Sequence, residues 1–153
     1  MPPALHALLL FLHLLAAAAW VGGMFFAHFA LRPAAAEVLQ PPQRLPLLAA
    51  ALGRFFRLTA VSVAVILVSG FAMLLPVGFA RAPVAWHLMA TLGVVMAVIY
   101  GHIAHALYPR LRAAVAAGSW PQAAEVLGAI RGRVALNLAL GTAAFAAAAL
   151  ARL

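Results

Sequence analysis

Charged side chains are missing from four long windows of this 153-residue chain, roughly 4–31, 58–80, 82–109 and 134–151. Each window is long enough to cross about 30 Å of hydrocarbon as a helix. The pattern predicts an all-α integral membrane protein, a single four-transmembrane-helix domain over residues 1–153 arranged as an up-down-up-down bundle. Proline and glycine set the expected ends. The first helix follows Pro2 and Pro3 and covers about 4–31, with Arg32 and Pro33 marking its exit. The second begins after Pro41 and Pro42, near Gln43, and covers about 43–75 before Pro76. The third covers about 82–117, its polar extension stopped by Gly118. Ser119 and Gln122 have capping-box spacing, so the fourth covers about 120–151, and the last two helices project beyond the membrane as a hairpin.

Composition agrees with the pattern, since 68% of the residues are hydrophobic and 8% are charged. All positive side chains are arginines, and their placement carries topology. Arg32, Arg44, Arg54 and Arg57 flank the first connection, Arg110, Arg112, Arg131 and Arg133 flank the third, and Arg81 stands alone in the second. The positive-inside rule makes the two arginine-rich connections cytoplasmic and puts both termini on the far side. Bracketing arginines of this kind form no continuous basic face, which excludes nucleic acid as the partner and leaves the lipid bilayer. Without cysteine, disulfides, thiolate metal sites and cysteine nucleophiles are excluded. The apolar stretch of the first helix lacks a basic start and is too long for a cleaved signal peptide.

Histidine is the residue that composition does not explain. His13 and His28 lie fifteen residues apart in the first helix, and His87 and His102 repeat that separation in the third, about 22 Å along a helix axis. At about 100° per residue, His6, His13, Trp20, Met24 and His28 share one face of the first helix, and His87, Val98, Gly101, His102 and His105 share one of the third. Both faces are expected to turn toward a common interior, because an ionisable group inside a membrane is costly and normally faces protein or cofactor. Thr59, Ser62, Ser69 and Met73 align on the second helix, and Arg133, Asn137, Gly141, Ala144 and Ala148 on the fourth. The small residues of the fourth suit close helix packing or room for a flat macrocycle. A shift of seventy-four residues superposes the histidine pairs, a trace of two related hairpins.

Three chemistries compete for these side chains. Bis-histidine haem b would take His13 with His87 at one level and His28 with His102 or His105 at the other, with Arg54, Arg57, Arg133 and Asn137 near the propionates. This is the leading expectation, with electrons passing to or from a quinone or a membrane redox protein. Copper transport or resistance would use the same four histidines, His13, His28, His87 and His102, with the thioether of Met24, whereas Met89 and Met96 fall on the opposite side of the third helix. A proton relay suffers from the lack of membrane carboxylates, the only acids being Glu37 and Glu125. A structural subunit of a larger membrane complex, or a homo-oligomer held by the small-residue stripes, is the non-redox alternative.

The run His13-Leu-Leu-Ala-Ala-Ala-Ala-Trp20-Val-Gly-Gly23-Met-Phe resembles the first-helix signature of the copper-resistance D family. Arg54-Phe-Phe-Arg57-Leu-Thr-Ala with the later Ser69-Gly70, and the stretch Arg131 to Gly141, extend the likeness over essentially the whole chain. The resemblance implies a multi-pass protein of a bacterial-type inner membrane, concerned with copper uptake or resistance. The spacing of His13, Trp20 and Gly23 is also similar to that in small bacterial membrane protoporphyrinogen IX oxidases, whose first-helix histidine is tied to haem b. By that resemblance His13 takes the ligand's place. Those enzymes have a functional lysine two residues after the position of His87; here that residue is Met89 and the chain has no lysine, so the oxidase activity does not carry over. A haem-dependent oxidoreductase is the broader enzyme class left.

Overall fold

A computed structural model describes residues 1–150 of the chain. Among them there are four long helices and no strand, each helix long and apolar enough to cross a membrane: α1 (Pro3–Val38), α2 (Pro41–Leu74), α3 (Val84–Ala116) and α4 (Trp120–Leu150). The protein is a multi-pass membrane protein. The end expected for the fourth helix at 151 lies outside the described residues.

Two of the helices run on through a proline, the first of them past its expected end at 31, and for one reason. In α1 a single π turn, Ala27–Leu31, closes with the Arg32 N–H donating to the Ala27 carbonyl, and the helix then resumes through Pro33. In α3 the π turn Ile103–Leu107 closes in the same way, Tyr108 N–H to the Ile103 carbonyl, just before Pro109. A proline removes one N–H and crowds the carbonyl four residues back. The wider turn absorbs that defect, so Pro33 and Pro109 sit inside continuing helices and Arg32 and Pro33 do not end the first span. The two π turns fall at matching places in the two hairpins. Gly118, at φ 65°, ends α3: the Ser119 N–H reaches back 3.0 Å to the Ala114 carbonyl, the bond expected of a left-handed glycine stop.

Helices α1 and α2 pack together along their length, as do α3 and α4; α1 also touches α4 and α2 touches α3, so α1 and α3 face each other across a diagonal. The buried core gathers toward the end that carries most of the arginines. Trp20, Met24, Phe56, Met96, Ile103, Leu107, Leu111, Ala123, Val126 and Ile130 all belong to it. In the other half of the bundle packing is sparse, with no buried residue in α1 before Ala16 or in α3 before Met96. Between helices surrounded by lipid there is no hydrophobic drive, and adhesion rests on close contact and hydrogen bonds. Both are present. Gly23 admits the ring of Phe55, and Gly141 lets Val21 and Met96 approach. The Tyr100 hydroxyl donates to the Phe56 carbonyl at 2.8 Å, and Asn137 Nδ2 donates to the Met96 carbonyl at 3.1 Å. Edge-on ring contacts link Trp20 to Tyr100 and Tyr100 to Phe56, each at 6.3 Å between centroids, joining three helices.

Candidate functional site

Helix α1 turns the expected face inward. Ala16, Trp20 and Met24 are buried in its Pro3–Phe26 stretch, His13 and His28 are half-buried on the same side, and His6 is exposed near the end away from the arginines. His13 is fixed by α2. Its Nδ1 lies 2.9 Å from Ser69 Oγ, and the Ser69 hydroxyl is itself bonded to the Val65 carbonyl one turn back. A hydroxyl has one proton, and the shorter contact to the carbonyl takes it. Nδ1 must then be the donor to Ser69, so the neutral ring carries its lone pair on Nε2. Gly70 makes the approach feasible, because a methyl group there would sit 3.2 Å from His13 Cε1.

Further along α1, Met24 is buried at 2% exposure in the same core cluster as Met96, which is at 4%. Eleven residues separate His13 from Met24, about 16 Å along the helix, so the two cannot share one ion. His28 lies within the π turn, edge-on to Phe29, and lines a small pocket with Arg32 and Arg131. Among the described residues no three histidine or carboxylate side chains gather closely enough to hold a metal ion.

Helix α3 departs from expectation. His102 and His105 are exposed, and the buried seam is Met96, Ile103, Leu107 and Leu111, on the other side of the helix. The cause is where the helix packs. Its tight contacts are with α4 in the arginine-rich half, where large apolar side chains form the seam, while both histidines stand within eight residues of Arg110, where an imidazole can reach headgroups or water. His87, half-buried, lies beside the Phe79 ring of the preceding connection at 6.2 Å. The histidine faces of α1 and α3 therefore do not meet in a common interior.

The four groups expected near haem propionates are also apart. Arg54 and Arg57 are exposed and line a cleft with Arg112 and Tyr108. Arg133 donates to the Ala129 carbonyl of its own helix, and Asn137, 1% exposed, is bonded to α3. At the depth of Gly141, Val21 and Met96 occupy the space that a macrocycle would need. Met96, Tyr100 and Tyr108 were not singled out from sequence as interior residues. Their signal is the recurrence Met96, Tyr100, Ile103, Leu107, Leu111 at three- and four-residue steps.

Nothing among the curated proteins or the solved structures matches the chain. Residues 49–151 match the family of copper resistance protein D, a segment that begins inside α2, takes in α3 and α4 and leaves the His13 helix outside it. With two thirds of its length in that match and four membrane-crossing helices, the chain belongs to the copper resistance protein D family.

Proposed function

We propose that this protein handles Cu(I) in the membrane, on the inward face of α1, with His13 as its first ligand. The observation that carries the reading is the Ser69 bond, which orients the His13 ring and leaves Nε2 as the free basic nitrogen in an apolar span. Metal-binding histidines are commonly held in this way by an acceptor on the other ring nitrogen. Imidazole and thioether together suit Cu(I), and Met24 and Met96 supply buried sulfurs nearer the arginine end, with His28 beyond them. The spacing of these donors suits successive sites of low coordination, and hence transfer of the ion more than its storage. The arginine distribution supports a bacterial-type inner membrane with the arginine end cytoplasmic.

Haem b is the weaker reading. His13 and His87 in the sparsely packed half are the only pair it retains, because the inner pair would need His102 or His105 turned inward. No electron-transfer step is derived through it.

The test is purified protein in nanodiscs, titrated with Cu(I) against a chromophoric chelator and scanned optically before and after dithionite. Expected are Cu(I) binding in the wild type, its loss in His13→Ala, and no haem bands. Absence of Cu(I) binding in the wild type sinks the copper reading, and Soret and alpha bands lost with His13→Ala would put haem in its place.

A further inference from the structure

The cleft at Arg54 lies outside the copper path proposed above, and its chemistry is specific. Arg54 and Arg57 from α2 face Arg112 from the extension of α3, with Tyr108, Gly53 and Ala50 completing a cavity of about 400 Å³ open to the outside. Its floor is built. The Tyr108 hydroxyl donates to the Ala49 carbonyl at 3.3 Å, and a methyl group at Gly53 would collide with that hydroxyl, so only glycine lets the ring lie against α2. The Phe56 ring stands edge-on to Tyr108 at 5.3 Å, and the π turn Ile103–Leu107 lies immediately before Tyr108. Three guanidiniums thus converge on one opening. The chain's only acids are Glu37 and Glu125, and neither lines the cleft. The cleft therefore presents cationic side chains without a carboxylate among them, and planar guanidinium forks match the oxygens of a phosphate.

The surface beside the cleft says which phosphate. From Arg54 a stripe of α2 rises through Leu58, Val61 and Val68 at helical spacing, each of them more than 60% exposed. Leu58 to Val68 covers about 15 Å, half the hydrocarbon thickness of a bilayer and so the depth of one leaflet. A free phosphate would use the arginines and leave that stripe idle; a phospholipid uses both. We infer that the cleft formed by Arg54, Arg57, Arg112 and Tyr108 is a binding site for one anionic phospholipid, its phosphate among the guanidiniums and an acyl chain along Leu58, Val61 and Val68.

The experiment is native mass spectrometry of the full chain released from nanodiscs of mixed phosphatidylglycerol and phosphatidylcholine, with variants Arg57→Gln, Arg112→Gln and, as a control of equal charge outside the cleft, Arg110→Gln. An arginine in contact with the bound headgroup contributes roughly a fivefold preference for anionic lipid, and Arg110 does not line the cleft. One retained phosphatidylglycerol is expected for the wild type, a preference about fivefold lower in each cleft variant, and wild-type retention in Arg110→Gln. A parallel arm adds glycerol phosphate and inorganic phosphate, which should not displace the lipid. No preference in the wild type, an equal loss in Arg110→Gln, or displacement of the lipid by either soluble phosphate would each overturn the assignment.

Discussion

Gly141→Ala is the sharpest probe of how closely the helices approach, because two effects of opposite sign compete at one atom. In a helix interior, alanine is favoured over glycine by about 1 kcal/mol. The added methyl at Gly141 would lie 2.7 Å from Val21 Cγ2 and 3.2 Å from Met96 Cε. Methionine is flexible enough to withdraw, but valine has one strongly preferred rotamer in a helix and no second place for its methyl, so α1 must shift away from α4. Overpacking of this kind costs about 1–3 kcal/mol, which exceeds the propensity gain and predicts a net loss of about 0–2 kcal/mol. Gly101→Ala is the internal reference, since nothing lies within 4 Å of a methyl group there and only the gain of up to about 1 kcal/mol operates. Reversible unfolding in mixed micelles, followed by tryptophan fluorescence, should therefore rank the two variants about 1–3 kcal/mol apart with Gly141→Ala below. If Gly141→Ala proves as stable as Gly101→Ala, Val21 and Met96 do not close on α4, and that depth of the bundle has room for a flat cofactor after all.

Four further outcomes are expected. Ser69→Ala removes the acceptor that holds His13 Nδ1, so Cu(I) affinity should fall about tenfold in the chelator titration while helix content is kept; an unchanged affinity would detach His13 from the copper reading. Thr59 is 1% exposed and its hydroxyl has no partner among the described residues, so Thr59→Val should raise unfolding stability by about 1 kcal/mol, and a loss of that size would mean that the hydroxyl serves a water or the cargo. His102→Ala and His105→Ala, both at exposed positions, should leave stability within about 0.5 kcal/mol and Cu(I) binding unchanged, whereas loss of binding would return α3 to the site. The chain has no cysteine, so single cysteines at Ala80 and Ala117 report topology cleanly: an impermeant maleimide applied to whole cells should label the first and not the second, and the reverse would invert the bundle.

The helices were legible because the information that specifies them is local. Windows without charge, the glycine at 118 and the paired prolines needed no knowledge of neighbours, and a long helix covers each of the four windows. Proline misled at 33 because its local cost is real, yet a π turn upstream dissipates it and lets α1 run on; a second π turn carries α3 through Pro109 to the stop expected at Gly118. The face of α1 was equally legible, since Trp20 and Met24 mark the same side as its histidines and every criterion agreed. On α3 the criteria conflict. His87, His102 and His105 mark one side, while Met96, Ile103, Leu107 and Leu111 mark the other, and only one side can face the bundle. The rule that ionisable groups turn inward holds where hydrocarbon is deep and loses its force within eight positions of Arg110, near the expected edge of the span. Depth decides which side wins. His13, far from the arginines and with Ser69 to bond, obeys the rule, and His102 and His105, beside the interface, have no need to. Met96 accordingly lies in the core cluster that also holds Met24, so a second sulfur faces inward, as Cu(I) would require and haem would not.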